Sequence, residues 1–219
     1  TNAIWNATGG YDGKGAYKFN GINTRLEPIN NIGIIGAKPR TFTFWAKVAS
    51  NTRGIIVGTG GTNSVAARFG AGIRNNNWFL WGWGSGNDWD TGVVPTLNVW
   101  QFHTVTYNGT TARWFINGVE IGTGFNLVYN TANSRPYIGF ENDTGILYYF
   151  NGSIDDVNIF NSSISIQQIQ ALYNNRTDLI VNSELVVGQD WTCSNTANGG
   201  VNDGINLTSD QVEIIDLGV

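Results

Sequence analysis

Two Asn-Gly dipeptides, Asn108-Gly109 and Asn117-Gly118, constrain this chain more than any other feature. Asn and Gly accept the positive φ angles that two-residue hairpin turns demand, so the pair is the strongest short-range hairpin signal a sequence carries. Residues 101–107, 112–116 and 119–121 flank the two turns and read as consecutive antiparallel strands. Upstream, Phe42, Phe44, Ala46 and Val48 alternate with Thr41, Thr43, Trp45 and Lys47, the period-two pattern of a half-buried strand. Ile55-Ile56-Val57, bounded by glycines, reads as another. With 29 Gly and 9 Trp, the composition is that of a turn-rich, strand-rich protein.

Residues 150–160, Phe-Asn-Gly-Ser-Ile-Asp-Asp-Val-Asn-Ile-Phe, read as a strand from Ser153 onward. Strict alternation sets Asp155 with Val157 and Ile159 on one face, and Asp156 with Ile154, Asn158 and Phe160 on the other. A carboxylate turned toward apolar neighbours stays ionised only if it is hydrogen-bonded, paired or metal-bound. The carbonyl-rich loop at 150–152 lies close in sequence, so Asp155 is a candidate calcium ligand or a hydrogen-bond anchor. Next comes Ser165-Ile166-Gln167-Gln168, a capping box. It opens a short helix whose Ile166, Ile169, Leu172 and Tyr173 share a face and which ends near Asn174-Asn175.

Several of these stretches recur together in one family. Tyr137-Ile138-Gly139-Phe140, then residues 150–161, then Ile169-Gln170-Ala171-Leu172-Tyr173 resemble the closing segment of laminin G-like domains of the concanavalin A-like lectin/glucanase superfamily, relatives of the pentraxins. Residues 16–21, 42–48 and 100–109 running on to 115–118 fit the same family in the same order. The resemblance implies an all-β fold: a two-sheet antiparallel jelly-roll sandwich with one short helix and extra C-terminal strands. An edge strand that normally precedes residue 16 is not visible, because residues 1–15 read as a loop. From Asp178 the pattern changes to short apolar runs and a Gly/Asn-rich loop. That segment resembles part of an immunoglobulin-like linker module of archaeal-type surface proteins. The expected organisation is a jelly roll over 1–176 and a β appendage or partial immunoglobulin-like module over 177–219. Val212, Ile214 and Asp216 alternate with Glu213, Ile215 and Leu217, making the tail a candidate strand donor for self-association through sheet edges.

Charge excludes one class of partner. Charged residues are 13% of the chain and the net charge is −4. With basic residues scattered singly, no nucleic acid is expected as a ligand. No apolar run approaches a membrane span, so no membrane insertion is expected. Cys193 is alone, which leaves no internal disulfide, and a chain that starts at Thr1 with no Met is expected to be a processed protein or a piece of a longer one. Asn-x-Ser/Thr sequons at Asn6, Asn108, Asn142, Asn151, Asn161, Asn175 and Asn206 make an extracellular or cell-surface glycoprotein plausible, although Asn also favours turns.

Residues 75–100 concentrate Trp78, Trp81, Trp83, Trp89 and Trp100 among Asn and Asp. Phe79, Trp81 and Trp83 share a strand parity and are either core or a sugar-stacking platform. Trp89, between Asp88 and Asp90 in a polar loop, has the chemistry of a glycan site: a ring for the pyranose face and carboxylates for hydroxyls. Glu141-Asn142-Asp143 is similar to the acidic calcium loop of pentraxins, and Asn76-Asn77 is similar to their Asp-Asn pair. The neutral Asn76 and the lack of acids over 144–150 depart from that pattern, and a solvated polar loop is the other reading of Glu141 and Asp143. His103, mid-strand with no acid or nucleophile at motif spacing, reads as structural. The Glu-x-Asp-x-x-Glu strand of the superfamily's hydrolases is absent, so no enzyme is expected and a glycoside hydrolase is the least favoured alternative. The leading expectation is a non-catalytic adhesion module for a glycan or a surface protein. The alternative is a structural subunit of an extracellular filament or sheath assembling by strand donation.

Overall fold

The computed structural model describes residues 3–61, 64–84, 86–176, 180–192, 194–198 and 203–215. By its internal contacts the chain divides into two units, Thr1–Ile164 and Ser165–Val219. In the first, the strands in chain order are β1 (Ile4–Asn6), β2 (Ala16–Asn20), β3 (Arg40–Val48), β4 (Gly54–Gly60), β5 (Arg68–Arg74), β6 (Asn77–Trp81) and β7 (Trp89–Asp90), followed by β8 (Trp100–Tyr107), β9 (Thr111–Ile116), β10 (Val119–Asn126), β11 (Tyr137–Ile138), β12 (Phe140–Asp143), β13 (Ile146–Tyr149) and β14 (Asn151–Phe160). They form a seven-stranded sheet in the order β1-β2-β14-β3-β8-β9-β10, a five-stranded sheet β11-β4-β5-β6-β7 and the hairpin β12-β13. Every pairing within these sheets is antiparallel. The expected all-β sandwich is the observed one.

Alternation assigns the two faces. Phe42, Phe44, Ala46 and Val48 of β3 point into the main core, where they join Val105 and Tyr107 of β8, Trp114 of β9, Phe69, Ala71 and Ile73 of β5, and Trp78 and Leu80 of β6. Burying a side chain of this size contributes about 1.5–3 kcal/mol, so this layer is the main source of stability. His103 lies inside it, fully buried, with its Nδ1 accepting from Trp114 Nε1 at 3.2 Å and its ring stacked 5.1 Å from Phe44. Burial pushes its pKa down to about 3, which keeps the imidazole neutral.

Two expectations about the sheet are corrected. Residues 1–15 do not form only a loop: Ile4, Trp5 and Asn6 pair with Lys18, Tyr17 and Ala16, supplying the leading edge strand. In β14 the strict alternation fails. A β-bulge between Asp155 and Asn158, with Asp156 at φ 43°, shifts the parity. Ile154 faces the core before the bulge, and Val157 and Ile159 face it afterwards, so Asp155 no longer shares their face.

In the second unit, α1 (Ile166–Tyr173) begins at the expected cap, Gln168 N donating to Ser165 Oγ at 3.2 Å, and closes at Asn174. Gln168 Oε1 accepts from Val181 N at 3.0 Å, and Ser165 N donates to Glu184. The helix therefore groups with residues beyond 176. Short ladders follow, β15 (Asp190–Trp191) with β18 (Val212–Glu213), and β16 (Ser194–Asn198) with β17 (Asp203–Thr208). The proposed donor strand thus pairs, at Val212 and Glu213, with its own chain, while Asp216 and Leu217 fall outside the described residues, as does Cys193.

Candidate functional site

On β5 the core-facing Phe69, Ala71 and Ile73 alternate with Arg68, Gly70, Gly72 and Arg74, which face away from the sandwich interior. On β6, Phe79 and Trp81 share that outer face, and with Ile55 and Tyr137 they make a second, smaller apolar cluster. Small residues in the neighbouring strands give these rings room. At Gly58 a Cβ would stand 2.5 Å from the Tyr137 ring. The sequence expectation left Phe79 and Trp81 as core or platform; they are nearly fully buried on a face other than that of the main core.

Trp83 follows in a backbone conformation that a bulky side chain rarely adopts, φ +73°. Asp88 holds it there: Oδ1 accepts from both Gly82 N and Trp83 N at 3.0 Å, while Oδ2 accepts from Arg74 Nη1 at 3.3 Å. The Arg68 guanidinium lies 5.0 Å from the centre of the Trp83 ring. Such strain persists only where its surroundings enforce it, and it brings an indole to the rim of a cleft.

That cleft has a volume of about 470 Å³ and is lined by Arg53, Arg74, Trp81, Trp83, Asp88 and Asp143, with Gly84 and Gly86. One wall is the Arg74–Asp88 pair and another is Arg53–Asp143, closed at 2.5 Å. Behind the second wall stands Glu141, fully buried, which takes Arg53 Nε at 2.9 Å and Nη2 at 2.8 Å, and Arg68 Nη1 at 2.9 Å. Burial works against the Arg53 charge, but the bonds and fields of Glu141 and Asp143 outweigh it and hold the guanidinium above its ordinary range. Two further polar atoms are buried here without a partner among the described residues, Arg68 Nε and Trp81 Nε1.

A second cleft of about 530 Å³ adjoins the first through Arg53, which belongs to both; Gly21, Ile22, Thr52, Leu147, Tyr148 and Tyr149 complete it. The Arg53 guanidinium lies 4.0 Å over the Tyr148 ring, so the β12-β13 hairpin contributes to both clefts.

Of the residues expected to bind a ligand, Trp81, Trp83 and Asp88 are brought together, and Asp143 joins them. Trp89 and Asp90 are not. Trp89 lies in a strand opposite Leu80, packs on the main core and stacks on Phe125 at 6.1 Å. Asp90 Oδ1 is occupied by Asn77 Nδ2 at 2.8 Å and Gly92 N at 3.0 Å. Arg53, Arg68 and Arg74 were not singled out in the sequence, although the alternation of Arg68 and Arg74 with an apolar run was a readable signal that they share a face.

Two of the carboxylates expected to hold calcium, Glu141 and Asp143, are engaged by arginines. Both oxygens of Glu141 and Oδ2 of Asp143 accept from guanidinium groups, which already supply the positive charge a metal would bring. Asp155 is far from them in use: its Oδ2 accepts from Tyr11 N at 3.3 Å and its Oδ1 from Asp156 N at 3.0 Å. Burial, then the charge of Asp156, raises its pKa above the ordinary carboxylate value. It anchors the loop whose Tyr11 ring stacks 4.1 Å from Trp45, with Gly10 so close that a Cβ would meet Asp155 Oδ2 at 2.6 Å. Among the described residues no three His, Cys, Asp or Glu side chains group as a metal site. Of the sequon residues, Asn6, Asn108, Asn142, Asn161 and Asn175 are exposed, and Asn151 is half-buried with its Nδ2 donating to Ser50 Oγ at 3.2 Å. The Asn206 side chain lies outside the described residues. Among the described residues no helix is long and apolar enough to cross a membrane.

The family model described as the concanavalin A-like lectin/glucanases superfamily, a laminin G model, matches residues 23–170. The chain belongs to this superfamily. The laminin G-like chain is also similar in fold to solved structures. Domain 4 of an extracellular arabinanase from Geobacillus stearothermophilus, in complex with arabinotriose, is 21% identical with a TM-score of 0.59, over 78% of this chain and 81% of that one. A SAP-like pentraxin from Limulus polyphemus is 16% identical, TM-score 0.57, over 71% and 80%. The binding domain of Paraclostridial Mosquitocidal Protein 1 is 17% identical, TM-score 0.60, over 78% of the laminin G-like chain and 46% of the other. No curated protein matches the chain.

Proposed function

We propose that this chain is a non-catalytic carbohydrate-binding module of an extracellular or cell-surface protein, and that it holds its glycan in the Trp81–Trp83 cleft. One observation carries the reading: the partly exposed Trp83 indole and two bracketing ion pairs converge on one concave surface floored by Trp81, Trp83 being held there at a conformational cost. An aromatic face stacks on the apolar face of a sugar ring, and fixed Arg and Asp groups offer donors and acceptors to its hydroxyls. Binding rather than hydrolysis is favoured by the state of the carboxylates. Asp88 is committed to two backbone amides and Arg74, and Asp143 to Arg53, which leaves no free acid and nucleophile pair in the cleft. That the arabinanase domain was solved with arabinotriose, and that other neighbours are named as binding domains, supports the same reading.

A glycan array probed with the purified chain tests it. Binding that is lost in Trp83→Ala and retained in Trp89→Ala supports the cleft. Retention in Trp83→Ala, or no binding to any glycan, counts against it.

A further inference from the structure

We infer that the ligand is a neutral, linear oligosaccharide lying across both clefts, with Arg53 donating to the sugar at their junction; this rests on the carbohydrate reading above and specifies its substrate class.

Three features of the page support extension beyond one sugar. Each cleft is by itself within the roughly 300–1,000 Å³ of a small-molecule site, far larger than a single sugar ring needs. The two share a residue, so a ligand leaving the first passes directly over Arg53 into the second. The second cleft repeats the chemistry of the first in milder form, with the Tyr148 ring beside the apolar side chains of Ile22, 72% exposed, and Leu147.

Arg53 suits the junction because it is both fixed and unsaturated. Its Nε and Nη2 are spent on Glu141 and Asp143, whereas among the described residues Nη1 has no hydrogen-bond partner. An immobilised N–H pair directed by two carboxylates and one ring loses little entropy when it donates to a hydroxyl.

Charge selects against acidic sugars. Arg53 and Arg68 are matched by Glu141 and Asp143 in one cluster of ion pairs, and Arg74 by Asp88 in a separate pair. A uronate or sialate would gain no unpaired cation there and would face two carboxylates at the cleft wall. A neutral chain, contributing hydroxyls alone, disturbs none of these pairs.

The test is calorimetric titration of the full chain with arabino-, xylo-, manno- and gluco-oligosaccharides of two to six residues, alongside an oligogalacturonate ladder. Affinity for one neutral series should rise roughly tenfold from the dimer to the tetramer and then level off. Tyr148→Ala should erase that rise. Since Tyr148 also carries Arg53, Ile22→Ser at its exposed position serves as the second variant and should reduce the rise while leaving the melting temperature unchanged. Affinity independent of length, or an equal loss at every length in both variants, overturns the extended site and leaves the carbohydrate reading standing. Preference for the galacturonate ladder overturns neutrality. Absence of binding to every series, with a folded protein, overturns both.

Discussion

Glu141→Gln is the sharpest probe of how the cleft is built. The substitution keeps shape and volume but removes a charge that is fully buried between two guanidinium groups. Glu141 accepts three N–H bonds at 2.8–2.9 Å. An amide can retain its oxygen at the Oε1 position, facing Arg53 Nη2 and Arg68 Nη1, but its NH2 then opposes Arg53 Nε. Breaking a buried pair from one side costs about 3–5 kcal/mol, because the partner is left charged and unsolvated. Arg53 retains Asp143 and is partly exposed, whereas Arg68 is 3% exposed in its side chain with no other carboxylate at ion-pair distance among the described residues. The expected loss is therefore near the lower limit, about 3 kcal/mol. Urea unfolding followed by tryptophan fluorescence should show it as a midpoint about 1.5 M lower, for a slope of roughly 2 kcal/mol per M. Replacing both partners, as Glu141→Leu with Arg68→Met, should recover much of the loss by removing the stranded charge. A single-variant loss below about 1 kcal/mol would falsify the claim that this buried carboxylate holds the cleft wall together.

Four further outcomes are expected. His103 has an ordinary pKa near 6.5 when unfolded and about 3 when folded, so between these values the unfolded state binds the extra proton and stability falls with acid. The loss is about 1.4 kcal/mol per pH unit below 6.5, roughly 2 kcal/mol from pH 7.5 to 5, and His103→Gln should flatten that slope in denaturant titrations. Chelator should leave the melting temperature unchanged, while Asp155→Ala, which strands the amides of Tyr11 and Asp156, should cost about 1–2 kcal/mol with or without added calcium. Trp89→Ala should destabilise by about 2–3 kcal/mol in thermal melts without altering glycan binding, since its ring packs on the core. Asp88→Ala should abolish binding by releasing the Trp83 turn, a change visible in near-ultraviolet circular dichroism.

The sandwich was legible because its signals are local. Alternation over residues 41–48 and the turns at Asn108-Gly109 and Asn117-Gly118 depend on side-chain period and turn chemistry, and the observed strands follow them. β1 was missed because a three-residue strand is too short to display a period, and its pairing with β2 is decided at a distance. The parity of β14 was misread because a bulge adds one residue that alternation cannot anticipate, and although Asp tolerates a positive φ better than most residues, one Asp in a strand does not mark a bulge. In the site, Trp81 and Trp83 were visible as a pair of indoles, but not Arg53, which reaches the cleft from outside any strand and meets Glu141 and Asp143 from a hairpin far along the chain. Trp89 was read as a loop residue from its polar neighbours. The backbone pairing of Leu80 with Trp89 turns that ring inward, and flanking composition carries no information about such a pairing.

In the seven-stranded sheet, β14 stands between β2 and β3. The strands of this sandwich that are made first are therefore among the last that can be placed. β1 and β2 can pair with each other, but their sole route into the sheet runs through a strand made some 130 residues later, on the order of ten seconds at ordinary elongation rates. Until then Phe19, which is fully buried in the finished sandwich, has no core to enter. The meander β8-β9-β10, joined by short turns, can assemble on β3 meanwhile, since its contacts are near in sequence. Assembly of this sandwich thus runs from the middle outward, and the closing step joins the two ends of the jelly roll. A chain interrupted between the end of β10 and residue 151 would present an unpaired β3 edge beside a dangling apolar hairpin, the pairing surface through which half-made sheets find one another.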